Sequence, residues 1–474
     1  MNGTAKPQPS ELAGRDTELL AQYAAALRYE EIPADVIERA KQCITDTIAV
    51  ALFGYDLPWS TMVVRFAQKN GGGGNSRILG PGGARVHAPA AALANGALAH
   101  AFEMDNLTWP SCGVHPGATL LPSALAVAQE RGLGGRELIA AVVAGAEAMI
   151  RIGRATQHRN ESRGFHAPGT TGPFGAAVAA ARLMRLDSTG MRNALGVAGS
   201  LACGLMEFAR CGSGAMVKRL HLGRAAESGV LAASLAAEGF SAPESVLEGE
   251  FGFLRVFCGG GFDRAELTRG LRESYATRSI MLKRFPCHIT AHTSVQAILD
   301  LRAEHGYDAR EVSSIHIAGD EKMAGVNNIP SPADIMMAQY SVPFCVALAH
   351  VRDPRDPRSY DESALRDAQI NALAQRVRIE RAGAHPAPLA AGLTVTLDDG
   401  RVLTRSVAAF KGTPEHPLDQ HELRDKFLTV TRHCNEHEMQ RLFDRLQGLE
   451  NEANLDWIGA AAKARGDAGI VNRD

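Results

Sequence analysis

Histidines in unusual surroundings are the part of this sequence that most directly suggests chemistry. His288 and His292 lie four residues apart in the segment K-R-F-P-C-H-I-T-A-H. Other histidines stand beside acids, a lysine or glycine turns, namely His100, His115, His166 and His221. An imidazole gains and loses protons near neutral pH because its unperturbed pKa is about 6.5. The pattern therefore predicts acid–base chemistry.

Two acids, Glu103 and Asp105, precede His115 in the segment E-M-D-N-L-T-W-P-S-C-G-V-H. A carboxylate can orient an imidazole or share its proton. The proline and glycine residues after Thr108 predict an irregular loop, and binding residues are often displayed on such loops. A loop histidine taken alone is more often a surface residue, so the nearby acids give this segment its weight.

A second segment, Gly164–Gly175, reads G-F-H-A-P-G-T-T-G-P-F-G and precedes an alanine-rich stretch. We expect a Gly/Thr loop beside His166, followed by a helix that begins after Gly172. The N-terminus of a helix binds carboxylate or phosphate through its free N–H groups and its dipole. The alternative is an ordinary turn in which a threonine caps the helix. The loop is not a Walker A sequence, because no G-K-[ST] ends it.

Lys218 and Tyr340 are the remaining candidates, in the segments K-R-L-H-L-G and Q-Y-S-V. A lysine that faces a cleft can pair with a substrate carboxylate, although most lysines are exposed to solvent. Tyr340 lies among apolar residues, where most tyrosines belong to the core and have a satisfied hydroxyl. Each of these residues is weak evidence on its own.

The overall composition excludes several classes of protein. The chain has 474 residues, of which 45% are hydrophobic and 22% charged, and this length favours two domains. A formal charge of −2 gives no electrostatic reason to expect binding to nucleic acid or to an acidic membrane. The N-terminus lacks the apolar core of a signal peptide, and no apolar run is long enough to cross a bilayer. We therefore expect a cytoplasmic protein that binds neither nucleic acid nor membrane.

The eight cysteines are scattered, with no C-x-x-C spacing. Iron–sulfur clusters and structural zinc sites need closely spaced cysteine ligands. We therefore predict no metal and no cofactor. In a chain without a secretion signal, the cysteines are expected to be reduced core thiols.

The elements that must position these residues change in character along the chain. Hydrophobic residues recur at helical spacing as far as about Glu238. The predicted helices there are Thr17–Leu27, Ala34–Phe53, Ala88–His100, Leu121–Gln129, Arg136–Ala155, Gly175–Leu183 and Leu222–Glu238. This region is expected to form a large helical domain.

After about Tyr275 strands appear, and D-D-G-R is typical of a hairpin turn. The predicted strands are Val312–Ile317, Val377–Glu380, Leu393–Leu397 and Val402–Val407, and the predicted helices are Thr290–His305, Met336–His350, Asp419–Val430 and Glu436–Gln447. We therefore expect a mainly α protein with a smaller α+β domain. The helical domain would comprise residues 1–275 with 415–474, and the α+β domain residues 276–414.

Taken in order, five motifs resemble those of the MmgE/PrpD family and span nearly the whole chain. They are A-N-G-A-L-A-H with E-M-D-N-L-T and H-P-G, G-F-H-x-x-G-T-T-G-x-F-G, K-R-L-H-x-G-x-A-A, K-R-F-P-C-H-x-x-x-H, and Q-Y-S-V. The family includes 2-methylcitrate dehydratases, cis-aconitate decarboxylases and iminodisuccinate epimerases. The resemblance implies a large helical domain with an α+β lid, usually a homodimer, and a pocket between the two domains.

The resemblance also implies a set of site residues. The expected catalytic residues are Asp105, His115, His166, Lys218 and Tyr340, and the expected substrate-binding residues are Glu103, Thr108 and His288. The acid is where the chain departs from the family motif. Counting three residues from His100 selects Glu103, whereas counting back ten from His115 selects Asp105. We expect only one of the two acids to enter the pocket, and we choose Asp105.

These residues suit a substrate with two or three carboxylates. A proton next to a carboxylate is hard to remove because negative charge builds on a charged group, which Lys218 and a helix N-terminus can offset. The resemblance favours a cofactor-independent lyase, most like a 2-methylcitrate dehydratase. A cis-aconitate-type decarboxylase and an amino-dicarboxylate epimerase remain alternatives on the same fold. An alternative of another class is an inactive family member that only binds a carboxylate.

Overall fold

Helices make up most of the protein in the computed structural model, which describes residues 14–211, 215–383 and 389–460. The helices are α1 (Asp16–Ala26), α2 (Ala34–Gly54), α3 (Pro58–Asn70), α4 (Ala88–Ala99), α5 (Pro116–Arg131), α6 (Gly135–Thr156), α7 (Arg159–Ser162), α8 (Ala167–Leu183), α9 (Ser188–Ser200), α10 (Val217–Ala237), α11 (Phe253–Cys258), α12 (His292–His305), α13 (Glu321–Ala324), α14 (Ile335–Tyr340), α15 (Val342–Val351), α16 (Glu362–Leu365), α17 (Ala368–Gln375), α18 (Gln420–Val430) and α19 (Glu436–Gln447). The strands are β1 (Ser76–Arg77), β2 (Arg85–Val86), β3 (Leu107–Thr108), β4 (Ile280–Met281), β5 (Val312–Gly319), β6 (Val377–Arg381), β7 (Ala391–Leu397) and β8 (Val402–Val407). A mainly α fold with a smaller α+β part is thereby confirmed.

Small residues let the central helices α4, α5, α8 and α10 pack closely. A Cβ atom added to Gly223 of α10 would lie 2.3 Å from the carbonyl oxygen of Leu93 in α4. One added to Gly229 would lie 2.3 Å from the Cβ of Ala176 in α8. Only glycine fits at such distances, so the alanine- and glycine-rich sequence is what brings these helices together. The N-terminal ends of three of them reach the same cavity, described below.

The second half of the chain contains a four-stranded sheet in the order β6-β5-β7-β8. β5 pairs in parallel with β6 and antiparallel with β7, and β7 and β8 form the hairpin expected at D-D-G-R. Alternate residues of β7, from Ala391 to Leu397, are buried. The buried face packs against α12.

Two contacts join the halves of the chain near the cavity. β3 pairs antiparallel with β4, Leu107 with Met281 and Thr108 with Ile280. Further along the chain, α18 and α19 pack on α2. The buried carboxylate of Asp46 in α2 binds the ammonium group of Lys426 in α18. Such packing is expected if the C-terminal helices belong to the helical domain, and that division remains a prediction.

Several predicted helices differ from the observed ones. α5 begins at Pro116 rather than at Leu121, and α10 begins at Val217 rather than at Leu222. The helix expected after Gly172 begins at Ala167, so the G-T-T-G segment lies inside α8 and is buried. Pro168 occupies the first turn of α8, where its missing N–H is not needed. The helix expected over Met336–His350 is broken at Ser341, whose hydroxyl caps α15 by accepting a hydrogen bond from the N–H of Phe344.

No single helix in the described ranges is long and apolar enough to cross a membrane. Only α2 and α3 taken together meet that test, and they are bent by 97° at their junction.

Candidate active site

A cavity of about 340 Å³ lies between the helical part and the α+β part. Its walls come from six regions. They are the loop before α5, the starts of α7, α8 and α10, the turn Met206–Ala209, the segment around β4 and α12, the region of α13 and α14, and Leu389 before β7. The chemically active side chains on its walls are Glu103, His115, His158, Glu161, His166, Lys218, Lys283, His288, Asp320, Lys322 and Tyr340.

Three helices begin at this cavity, and each places an expected site residue there. His115 is the residue before α5, His166 the residue before α8, and Lys218 the second residue of α10. A helix N-terminus carries partial positive charge and free N–H groups. The cavity therefore attracts anions even before its side chains are considered. A helix N-terminus does lie at the site, but it is at Ala167 and the position expected after Gly172 is wrong.

Asp105 binds two histidines with one oxygen. Its Oδ2 lies 2.9 Å from Nδ1 of His100 and 2.7 Å from Nδ1 of His115. Burial opposes ionisation, but the two facing rings hold the pKa of Asp105 well below its usual range. An ionised Asp105 accepts hydrogen bonds from both Nδ1–H groups, so His115 keeps Nε2 free to exchange a proton. Burial lowers the pKa of His100 to about 4, which keeps that ring neutral.

Glu103, the other acid, lies among three cations. Its Oε1 accepts from the ammonium group of Lys218 and from Nη1 of Arg219 at 2.8 Å, and its Oε2 lies 3.2 Å from Nζ of Lys283. Burial opposes its charge, but these cations hold the pKa of Glu103 well below its usual range. The backbone of Glu103 has a φ of 56°, a left-handed conformation that costs free energy in a non-glycine residue.

The choice of Asp105 as the acid that faces the pocket is wrong, because Glu103 lines the cavity and Asp105 lies behind His115. The chain leaves the α4 helix at His100 and runs through bends to Asn106. The count of three residues from His100 therefore selects the acid that lines the cavity, and the count of ten back from His115 selects the acid behind it. Both acids are fully buried, and they act on different neighbours.

Lys218 is buried, with 6% of its surface exposed, although a lysine in such a segment is usually solvated. Burial lowers its pKa, while Glu103 opposes that shift. Its ammonium also lies 4.9 Å from the ring centre of Tyr340. Lys218 and Arg219 occupy the first turn of α10, where the helix dipole disfavours cations. Two cations in the first turn of a helix oppose the helix dipole, and such unfavourable placements are typical of functional sites.

His288 and Tyr340 form the opposite wall. Their ring centres are 4.8 Å apart, and Nδ1 of His288 lies 2.9 Å from the hydroxyl oxygen of Thr290. Burial lowers the pKa of His288 to about 3, so this ring is neutral. Burial, with Glu103 nearby, raises the pKa of the Tyr340 hydroxyl, which therefore stays protonated and able to donate.

His166 faces the cavity, and its Nδ1 lies 2.9 Å from Nδ1 of His221. Burial first, and then the charge of Lys218, lower the pKa of both rings. At most one of the two facing nitrogens can be a donor, so the pair shares a single proton. This contact places His221 beside the site, although the ring does not line the cavity.

Thr108 and His292, which the sequence also singled out, do not lie on the cavity wall either. The hydroxyl of Thr108 is 3.1 Å from Sγ of Cys112, inside the loop that Thr108 begins. His292 is buried between the rings of Phe285 and Phe410. The resemblance implies that Thr108 binds the substrate, but its hydroxyl contacts Cys112 and the residue is not on the cavity wall.

The sequence interpretation missed several residues that line the cavity. Lys283 begins the K-R-F-P-C-H motif, so the sequence pointed to the residue but not to its place on the cavity wall. His158 and Glu161 are hydrogen-bonded to each other at the cavity wall, and Lys322 reaches the same cavity from α13. No motif marked these last three, and Lys322 meets His158 and Glu161 only when the two halves of the chain fold together.

His100, Asp105 and His115 are also the one group of described residues whose ligand atoms lie close enough to bind a metal ion, within 4.8 Å of one another. Their separations of 2.7 and 2.9 Å are hydrogen-bond lengths, and a single oxygen serves both rings. We therefore interpret the group as a carboxylate that orients two imidazoles.

Comparisons with known proteins agree with this architecture. The model of the MmgE/PrpD N-terminal domain matches residues 18–265, and that of the C-terminal domain matches residues 285–448. A cis-aconitate decarboxylase of Aspergillus terreus is 29% identical over 466 residues, which cover 93% of this chain and 94% of that protein. Another from Aspergillus terreus strain NIH 2624 / FGSC A1156 is 33% identical over 301 residues, 61% of this chain and 60% of its own. The cis-aconitate decarboxylase of Homo sapiens is 27% identical over 434 residues, with coverages of 87% and 86%.

Proposed function

Because the chain belongs to the MmgE/PrpD family and is a lyase, we propose that it is a carboxy-lyase that removes CO₂ from cis-aconitate or a closely similar tricarboxylate. The positive character of the cavity is the observation that carries this proposal. Three helix N-termini and the side chains of Lys218, Lys283 and Lys322 face one enclosed space. Such a field suits a small molecule with several carboxylates.

The lysines differ in how far their charge is already neutralised. Lys218 and Lys283 share the single carboxylate of Glu103 with Arg219, so a net positive charge remains there. Lys322 is exposed and has no ion-pair partner among the described residues. A substrate carboxylate could therefore bind the Glu103 cluster while another binds Lys322 across the cavity.

Decarboxylation of such a substrate needs a proton donor near the carbon that loses CO₂. As the bond to the departing carboxylate breaks, its electron pair stays on the carbon skeleton, and one proton must then be added to carbon. A trianion and one proton thus give CO₂ and a dianion. His115 with its free Nε2, His166 and the protonated Tyr340 are the available proton carriers. Lys218 and the N-terminus of α10 would stabilise charge that develops on the skeleton.

The expectation of a 2-methylcitrate dehydratase has less support. The relatives described above are named for decarboxylation, and none of them for dehydration. The positive cavity suits either polycarboxylate, and the names of these relatives favour decarboxylation over dehydration.

A panel of carboxylates followed by NMR tests the proposal. Purified protein should convert cis-aconitate to CO₂ and a dicarboxylate, and should leave 2-methylcitrate and amino-dicarboxylates unchanged. Loss of water from 2-methylcitrate without CO₂ release would favour the dehydratase instead. Deuterium exchange without any net product would favour an epimerase.

A further inference from the structure

A histidine outside the cavity wall is in direct contact with a cavity histidine. Nδ1 of His221, on α10, lies 2.9 Å from Nδ1 of His166, at the start of α8. His166 is 5% exposed, whereas His221 is only partly buried. The pair therefore links an enclosed nitrogen to one nearer the surface.

The surroundings hold the two rings in this arrangement. The ring of Phe208 lies edge-on to both, with centre separations of 5.1 Å to His166 and 5.8 Å to His221. The backbone N–H of His166 donates a hydrogen bond to the carbonyl oxygen of Gly204 at 3.0 Å. Gly204 has a φ of 129°, a conformation that favours glycine, so a glycine is needed where the backbone accepts this hydrogen bond.

We propose that His221 is a relay residue, which reloads His166 with a proton from solvent after His166 has protonated the substrate carbon. The inference rests on the proposed function for its reaction. In each turnover, Nε2–H of His166 gives its proton to carbon, Nδ1–H of His221 passes its proton to Nδ1 of His166, and Nε2 of His221 takes one from solvent. The net change is one proton moved from solvent to product. A flip of the two rings or of their tautomers resets the pair.

This route avoids a lasting positive charge on either ring. Burial and the ammonium of Lys218 lower the pKa of both histidines, so an imidazolium would be costly. His100 and His115 also disfavour a positive charge on His166. Each ring gains a proton on one nitrogen as it loses a proton from the other, so each ring is neutral between steps. A lone buried histidine would need another path to regain its proton while substrate or product fills the cavity.

The variant His221→Gln separates relay from positioning. The glutamine amide can still donate a hydrogen bond to Nδ1 of His166, but it cannot readily pass a proton through. We expect kcat to fall at least about tenfold with KM nearly unchanged, within the range that general acid–base groups contribute. Added imidazole should restore kcat in this variant and leave the wild type unaffected. The exposed His421→Gln on α18 is the matched control, and it should show neither effect.

Two results would overturn the relay: a wild-type kcat in His221→Gln, or a lowered kcat that does not respond to imidazole. The second result would assign His221 a structural role. A measurement without turnover separates this inference from the proposed function. In protein labelled with ¹⁵N-histidine, a coupling across the hydrogen bond between the two Nδ1 atoms should be present in the wild type and absent in His221→Gln. If the coupling is present but cis-aconitate is not decarboxylated, the proposed function fails while the shared proton stands. If the coupling is absent, the relay fails.

Discussion

Asp105 and Glu103 have separate tasks although both are buried beside the same cavity. Asp105 orients His100 and His115 through one oxygen, and Glu103 gathers Lys218, Arg219 and Lys283. The first arrangement affects proton transfer and the second affects how the substrate carboxylates are held. Charge-neutral substitutions of nearly equal volume should distinguish the two.

Asp105→Asn should lower kcat by about 100-fold or more and change KM little, because the Nδ1–H groups of His100 and His115 lose their anionic acceptor. Glu103→Gln should lower kcat less and change KM more, because three cations lose their shared carboxylate. Steady-state kinetics of both variants checks this, with circular dichroism as the control for folding. A crippled Glu103→Gln beside a nearly normal Asp105→Asn would reverse the assignment.

The His100–Asp105–His115 group is the place among the described residues where a metal ion could bind, so a metal requirement can be tested there. We expect activity to survive exhaustive chelation, because the three residues are joined by hydrogen bonds. Activity before and after treatment with a chelator, with metal content measured in parallel, checks this. Loss of activity that one divalent ion restores would mean that the group holds a metal.

Among the elements, α6 holds the segment that leads into the second half of the chain. The carboxylate of Glu147 accepts hydrogen bonds from the N–H of Ala276 at 3.0 Å, and from the N–H and hydroxyl of Thr277, each at 2.8 Å. Arg151 binds the same carboxylate at 3.3 Å. The segment then forms β4, which pairs with β3 at the cavity. Glu147 thus fixes one wall from a distance.

Glu147→Gln should lower the thermal midpoint by at least about 2 °C, since a buried charge with four partners is worth at least about 2 kcal/mol and a chain of this length unfolds with an entropy of about 1 kcal/mol/K. Differential scanning calorimetry measures it. The exposed Glu362→Gln, which loses only a surface pair with Arg366, is the matched control and should change little. An unchanged midpoint in Glu147→Gln would show that the segment is held by other contacts.

Elements with a clear hydrophobic period could be predicted from the sequence, and their arrangement around the cavity could not. The predicted helix Glu436–Gln447 and strand Val402–Val407 match the observed ones, and the family resemblance is confirmed. The start of α8 was missed because glycine and threonine usually signal a loop, whereas here tertiary packing requires small residues inside a helix. The contacts of Lys322 and His221 depend on residues far apart in sequence, which local patterns do not report.

At the scale of the whole molecule, buried neutral histidines link stability to pH. Burial lowers the pKa of His100 and of His350 to about 4, against about 6.5 for an unfolded histidine. Between these values the unfolded chain binds more protons than the folded one, so stability rises with pH and is lost as pH falls. The pKa is also lowered in His166, His221, His288 and His433, and it is raised in His158. The net effect is therefore loss of stability on acidification.

We expect the thermal midpoint to fall steadily from about pH 6.5 to about pH 5, above the range in which most carboxylates titrate. Thermal unfolding followed by circular dichroism at half-unit intervals checks this. A midpoint that is flat over that interval would mean that the buried histidines are charged, or are solvated, in the folded protein.

The central claim, that this cavity is where a tricarboxylate loses CO₂, is tested most directly by one kinetic measurement. The rate of CO₂ release from cis-aconitate is compared between the wild type, Lys218→Ala and the control Arg224→Ala, which lies on the outer face of the same helix. The wild type should release one CO₂ for each cis-aconitate consumed. Lys218→Ala should lose at least about tenfold in kcat/KM, equivalent to about 1.4 kcal/mol, while Arg224→Ala stays near the wild type. No CO₂ from the wild type, or an undiminished rate in Lys218→Ala, would contradict the claim.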